Sequence, residues 1–138
     1  MSTPYQMLGD DGIRALCNAF YDIMDSAPEA ATIRRMHAAD LGPMKVKLAE
    51  YLTGWMGGPP VYADKYGSVC MTEPHAPYRI GPVERDQWLW CMQQALQQTG
   101  ASEELKTLLN VPLQRIAAAI QNRQDSGTDL GPGVIAVG

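Results

Sequence analysis

Residues 11–24 read Asp11-Gly12-Ile13-Arg14-Ala15-Leu16-Cys17-Asn18-Ala19-Phe20-Tyr21-Asp22-Ile23-Met24. Within them Ile13, Leu16, Cys17, Phe20, Ile23 and Met24 recur at spacings of three and four, the period that puts side chains on one face of an α-helix. Asp10 or Asp11 is placed to cap its N-terminus. The same period returns along the chain. Leu48, Tyr51, Leu52 and Trp55 mark a helix that starts near Pro43 or Met44. Trp88, Leu89, Met92, Ala95 and Leu96 mark one beyond Pro82, closed by Gly100. Leu105, Leu108 and Leu109, then Leu113, Ile116, Ala117 and Ile120, mark a last helical region. Pro112 divides those two sets and predicts a kink or a fresh start there.

The segments between are punctuated. Pro28 closes the first helix or opens a short second one carrying Ile33 and Met36. Asp40-Leu41-Gly42-Pro43 reads as a turn, and Gly57-Gly58-Pro59-Pro60 stops the helix before it. Residues 61–81 leave room for only a short helix. Outside the C-terminal stretch no segment alternates as a strand would, and no internal repeat appears. The class is all-α. Residues 1–124 read as one domain, and the Gly-rich run from Asp125 to Gly138 reads as a mobile, dispensable tail.

A chain of 138 residues with 46% hydrophobic and 19% charged residues is balanced as a single globular domain. Its formal charge of −4 argues against a sequence-independent nucleic-acid binder, which needs a basic face. No apolar run approaches the roughly 20 residues of a membrane span. The N-terminal stretch lacks the basic and apolar regions of a secretory signal. Cys17, Cys70 and Cys91 are odd in number and show no CxxC spacing, which suits free thiols in a reducing cytoplasm. There is one Phe, but three Trp, six Tyr and eight Met, so amphipathic aromatics must help to build the core.

GxSxG, P-loop, GxGxxG and paired i,i+4 histidine patterns are absent. Two histidines remain, His37 and His75. His75 sits in Glu73-Pro74-His75-Ala76-Pro77-Tyr78-Arg79-Ile80-Gly81, between prolines that limit backbone freedom. An imidazole held in this way suits one axial bond to haem iron. From the residues alone the reading reaches a helical cofactor protein and goes no further.

Five blocks in order then resemble a known family: Phe20-Tyr21, Asp40-Leu41, Trp55-Met56-Gly57-Gly58-Pro59 with Tyr62, His75-Ala76-Pro77-Tyr78-Arg79-Ile80, and Glu84-Arg85-Asp86-Gln87-Trp88-Leu89 with Cys91-Met92. From about Gly9 to Asn122 the chain resembles the truncated haemoglobins of the second group. That resemblance implies a two-over-two helical sandwich around one b-type haem. It makes His75 the proximal ligand of a five-coordinate iron that binds oxygen, CO and NO. Tyr21 and Trp88 match distal-pocket donors, with Phe20 on the pocket wall. His37 falls at the corner over the haem face, where a one-residue shift in alignment would bring Met36 instead. Met44 and Leu48 match ligand-facing positions. Lys47 and Arg79 match positions that meet the haem propionates, as does Tyr62. The chain departs from the family at residues 67–74: the basic run before the proximal histidine is missing, and Pro74 stands where an Arg is usual.

A polar cage of Tyr21, Trp88 and His37 would slow release of a polar ligand, which suits scavenging or sensing better than bulk oxygen transport. The alternative is a haem enzyme, a peroxidase or a nitric oxide dioxygenase, served by a separate reductase. Either a monomer or a homodimer is compatible with the sequence.

Overall fold

A computed structural model describes residues 2–67 and 80–122. Six helices lie among the described residues: α1 (Pro4–Ser26), α2 (Ala31–Arg35), α3 (Gly42–Trp55), α4 (Val61–Tyr66), α5 (Pro82–Gln98) and α6 (Glu103–Ile120). A single 3-10 turn, Pro28–Ala30, leads into α2. No strand occurs among the described residues, so the class is all-α as the periodicity predicts. None of these helices is long and apolar enough to cross a membrane.

α1 begins earlier than expected. Thr3 caps it, accepting from the Gln6 N–H at 3.1 Å while the Gln6 side chain accepts from the Thr3 N–H at 2.9 Å, a reciprocal capping box. Gly9, at φ 70°, then interrupts the helix before the apolar run starts. The two acceptors expected to cap that run are engaged elsewhere: Asp10 takes the Tyr5 hydroxyl at 3.0 Å and Asp11 pairs with Arg14 at 3.5 Å. The extra first turn docks on the end of α3, where the Tyr5 N–H donates to the Met56 carbonyl at 3.0 Å. This accounts for Gly58, since a Cβ there would lie 2.6 Å from the Tyr5 ring. Beyond Gly9, α1 buries Ile13, Leu16, Cys17, Phe20, Tyr21 and Met24.

α6 removes one of the two expectations at Pro112, the fresh start. The helix runs from Glu103 to Ile120 with Pro112 inside it, and Ser102 caps its start by accepting from the Leu105 N–H at 3.1 Å. An interior proline costs about 3 kcal/mol. Leu105 and Leu109 before it, and Leu113, Ile116 and Ile120 after it, are all buried. Each such side chain contributes about 1.5–3 kcal/mol, so a continuous buried face outweighs one lost backbone hydrogen bond.

α1 packs chiefly against α3 and α5, and α5 packs against α6. Two helix pairs, α1/α3 and α5/α6, are thus laid over each other. The end of α6 is tied to the start of α5. Ile80 and Asn122 exchange hydrogen bonds of 2.9 and 2.8 Å, and Arg85 donates to Gln121 at 2.9 Å. Buried Glu84 accepts the Gly81 N–H at 2.7 Å and closes the first turn of α5. The tail expected from Asp125 onward lies outside the described residues, as does the domain boundary expected at residue 124.

Candidate functional site

α1 sets adjacent aromatic residues on two of its faces. Successive helical positions diverge by about 100°, so Phe20 and Tyr21 cannot point the same way. Phe20 is fully buried, with its ring edge-on to Tyr21 at 4.9 Å and to Trp88 of α5 at 5.6 Å. Tyr21, 4% exposed, meets the His37 ring at 5.8 Å and 67°. The structure therefore brings together four of the residues that the sequence singles out, drawn from α1, the turn after α2, and α5. Burial, with Cys17 next in effect, pushes the Tyr21 phenol well above its ordinary value of 10. Tyr21 remains a neutral O–H donor at physiological pH.

His37 is placed by contacts that sequence reasoning missed. Gln87 of α5 accepts the Ile33 N–H at 3.1 Å and ties α2 to α5. Arg34 reaches forward to the carbonyls of His37, Ala38 and Ala39 at 3.4, 2.9 and 3.0 Å, and pairs with Asp25 at 2.8 Å. It thereby fixes the turn on which His37 sits. The His37 Nδ1 lies 2.8 Å from the Ile33 carbonyl, a group that can only accept, so Nδ1 carries the proton. In the neutral ring Nε2 is then the acceptor. A basic residue in the last turn of α2 is ordinary helix chemistry, and nothing local in the sequence marks Arg34 or Gln87 as clamps.

Met44 and Leu48, one turn apart on α3, pack against the core cluster but are only half-buried, as is Trp88. Met36 caps the C-terminus of α2 and is half-buried, while the neighbouring His37 is the residue that meets Tyr21. Lys47 and Tyr62 gather elsewhere, around Tyr66: the Lys47 ammonium is 5.2 Å from the Tyr66 ring centroid and the Tyr62 ring 4.6 Å from it. His75 and Arg79 lie outside the described residues. A cleft of about 290 Å³ between α5 and α6, lined by Leu89, Gln93, Leu96, Lys106, Asn110 and Leu113 among others, shares no residue with the Tyr21 constellation.

The constellation fits a haem. Met44, Leu48 and Trp88 present partly covered apolar surface of the kind a flat apolar macrocycle covers, and Tyr21, Trp88 and His37 carry the polar groups.

Residues 3–122 match the bacterial-like globin family. The chain belongs to the group II truncated haemoglobins. It is similar to the group II 2-on-2 haemoglobin of Agrobacterium tumefaciens, at 41% identity and a TM-score of 0.85, covering 90% of this chain and 97% of that one. It is also similar to the cold-adapted truncated haemoglobin of Pseudoalteromonas haloplanktis, at 32% identity and a TM-score of 0.85, covering 89% and 100%. A truncated oxygen-avid haemoglobin of Bacillus subtilis matches at 28% identity and a TM-score of 0.80, covering 88% and 100%. The two-over-two arrangement of α1/α3 and α5/α6 is that fold, and membership of the family implies haem-based gas binding.

Proposed function

We propose that this truncated haemoglobin holds one b-type haem through His75 and binds oxygen, with CO and NO as further ligands, on a polar distal side formed by Tyr21, Trp88 and His37. The observation that carries the reading is the ring contact of buried Tyr21 with His37, next to the Phe20–Trp88 wall. When bound, haem supplies the five-coordinate iron to which the gas attaches. The chain's own part is electrostatic. Tyr21 stays protonated and donates its one hydroxyl proton to the bound gas, the Trp88 indole N–H is a second donor, and His37, its Nδ1 proton held by the Ile33 carbonyl, packs its ring against Tyr21.

Each hydrogen bond to a strongly polar acceptor contributes about 1.5–3 kcal/mol, and about 1.4 kcal/mol is tenfold in affinity. Two such donors give slow oxygen release, in keeping with the oxygen-avid Bacillus subtilis relative and with a role in scavenging or sensing. The buried free thiols of Cys17 and Cys91 suit a reducing, cytoplasmic location.

An absorption spectrum of the haem-loaded protein and of His75→Ala tests the reading. The wild type should show a Soret band at about one haem per chain, and the variant should change its ferrous spectrum and lose haem more readily. An unchanged ferrous spectrum with unchanged haem retention would remove His75 from its assigned place.

A further inference from the structure

Away from Tyr21, α3 and α4 bring three more tyrosines into ring contact. Tyr51, packed against the core from α3, meets Tyr62 of α4 edge-on at 5.4 Å and 88°. Tyr62 in turn lies 4.6 Å from Tyr66. The stack runs from the core to the surface, where Tyr66 is 45% exposed. At its outer end the Tyr66 hydroxyl donates to Glu50 Oε1 at 3.3 Å, while Lys65 holds Glu50 Oε2 at 3.0 Å. The ammonium groups of Lys47 and Lys65 lie 5.2 and 5.5 Å from the Tyr66 ring centroid.

An oxidised phenol persists only if its proton has somewhere to go. Tyr66 has the Glu50 carboxylate within reach, an acceptor already held in place by Lys65. Two cations near the ring disfavour a cationic radical, which ties loss of an electron from Tyr66 to loss of its proton. Burial raises the pKa of the inner phenols, Tyr51 and Tyr62, so they hold their protons more firmly. An electron vacancy passed outward along the rings therefore comes to rest on Tyr66.

We propose that Tyr66 is a surface oxidation site of this truncated haemoglobin, connected inward through Tyr62 and Tyr51, from which electrons pass to hydrogen peroxide and at which small phenols are the reductant. The inference rests on the haem reading above, because peroxide is reduced at that group. In the balanced step two Tyr66 phenols, one on each of two chains, lose one electron and one proton apiece, the proton passing by way of Glu50. One peroxide takes the two electrons and two protons and becomes two waters. Each phenoxyl radical then recovers a hydrogen atom from a phenolic donor. Without a donor, two radicals on two copies of the chain couple through a carbon–carbon bond ortho to their oxygens, and the displaced ring hydrogens return to the oxygens.

The test is covalent cross-linking of the haem-loaded protein by hydrogen peroxide, with no added phenol, followed by mass mapping of the junction. The wild type should give a dityrosine dimer joined at Tyr66, and added phenol should suppress it. Tyr66→Phe should lose the dimer. Tyr51→Phe and Glu50→Gln should lose most of it while keeping the wild-type haem spectrum. Tyr5 is the internal comparison, since its hydroxyl also meets a carboxylate, Asp10 at 3.0 Å, but it stands on the first turn of α1, outside the stack. A dimer that persists in Tyr66→Phe, a junction at Tyr5, or a haem-loaded wild type that gives no dimer each overturns the proposal and leaves the haem reading standing. A chain that takes up no haem defeats both.

Discussion

Two aromatic groups in this truncated haemoglobin are each joined by ring contacts around a tyrosine and end in opposite chemistry. Phe20, Tyr21, Trp88 and His37 meet where α1, α2 and α5 converge, and Tyr21 there is 4% exposed. Tyr51, Tyr62 and Tyr66 meet between α3 and α4, where Tyr66 is 45% exposed and ringed by Lys47, Lys65 and Glu50. In the first group low polarity keeps a phenol neutral and ready to donate to a guest. In the second, the polar tip is already engaged by surface charge. Ring contacts alone do not distinguish the two. Burial and the nearest charge do.

The difference should show first in stability. Phe20→Ala empties a fully enclosed position between Tyr21 and Trp88, and the cavity should cost about 3–5 kcal/mol, read as a large fall in the midpoint of denaturant unfolding. Tyr66→Ala removes an exposed ring and should cost only about 0.5 kcal/mol, as surface substitutions do. Equal costs would mean that the α3/α4 stack supports the fold as strongly as the core does.

A second contrast lies in ligand release. Tyr21→Phe and Trp88→Phe should each speed oxygen dissociation by roughly ten- to hundredfold, from about 1.5–3 kcal/mol per hydrogen bond. Release of carbon monoxide, less polar when bound, should change far less. If the two donors act as one network, the double variant should depart from additivity by about 0.5–3 kcal/mol. Tyr66→Phe, from the other group, should leave both rates alone. Stopped-flow release of the two gases decides the matter, and equal acceleration of both would mean that Tyr21 and Trp88 act as steric gates.

How far the sequence showed all this depends on the scale at which each feature is written. Helical faces are local, repeating patterns, so α1, α3 and α5 could be read from the spacing of Ile13 to Met24, Leu48 to Trp55 and Trp88 to Leu96. The first turn of α1 was also legible, since Thr3-Pro4-Tyr5-Gln6 is a capping box, but the longer apolar run beyond Gly9 drew the start too late. The fresh start allowed for at Pro112 did not occur, for the opposite reason: a local rule about one N–H was outweighed by tertiary burial on both sides of it. Phe20, Tyr21, Trp88 and His37 were named through family motifs, and the structure sets them in contact. The Gln87 and Arg34 clamps and the stacking of Tyr62 on Tyr66 depend on where elements meet in space. No periodicity announces such meetings.

The smallest effect concerns protons on the buried side. Cys17, one turn before Tyr21, and Cys91, one turn after Trp88, are both fully buried. Burial pushes each thiol from 9.0 up to about 12, with Glu29 adding to the shift at Cys91. Between pH 9 and about 12 the folded chain keeps these protons while the unfolded chain releases them. The native state then binds more protons than the unfolded state, so stability must fall as pH rises through that window. One fully differential thiol contributes a slope of at most about 1.4 kcal/mol per pH unit. Cys17→Ala and Cys91→Ala should each lower stability at neutral pH by leaving a small cavity, yet flatten its decline above pH 9. Slope and height thus separate titration from packing. Unfolding midpoints measured at several alkaline pH values check the expectation, and an unchanged slope in the double variant would show that the buried thiols do not control the alkaline limb.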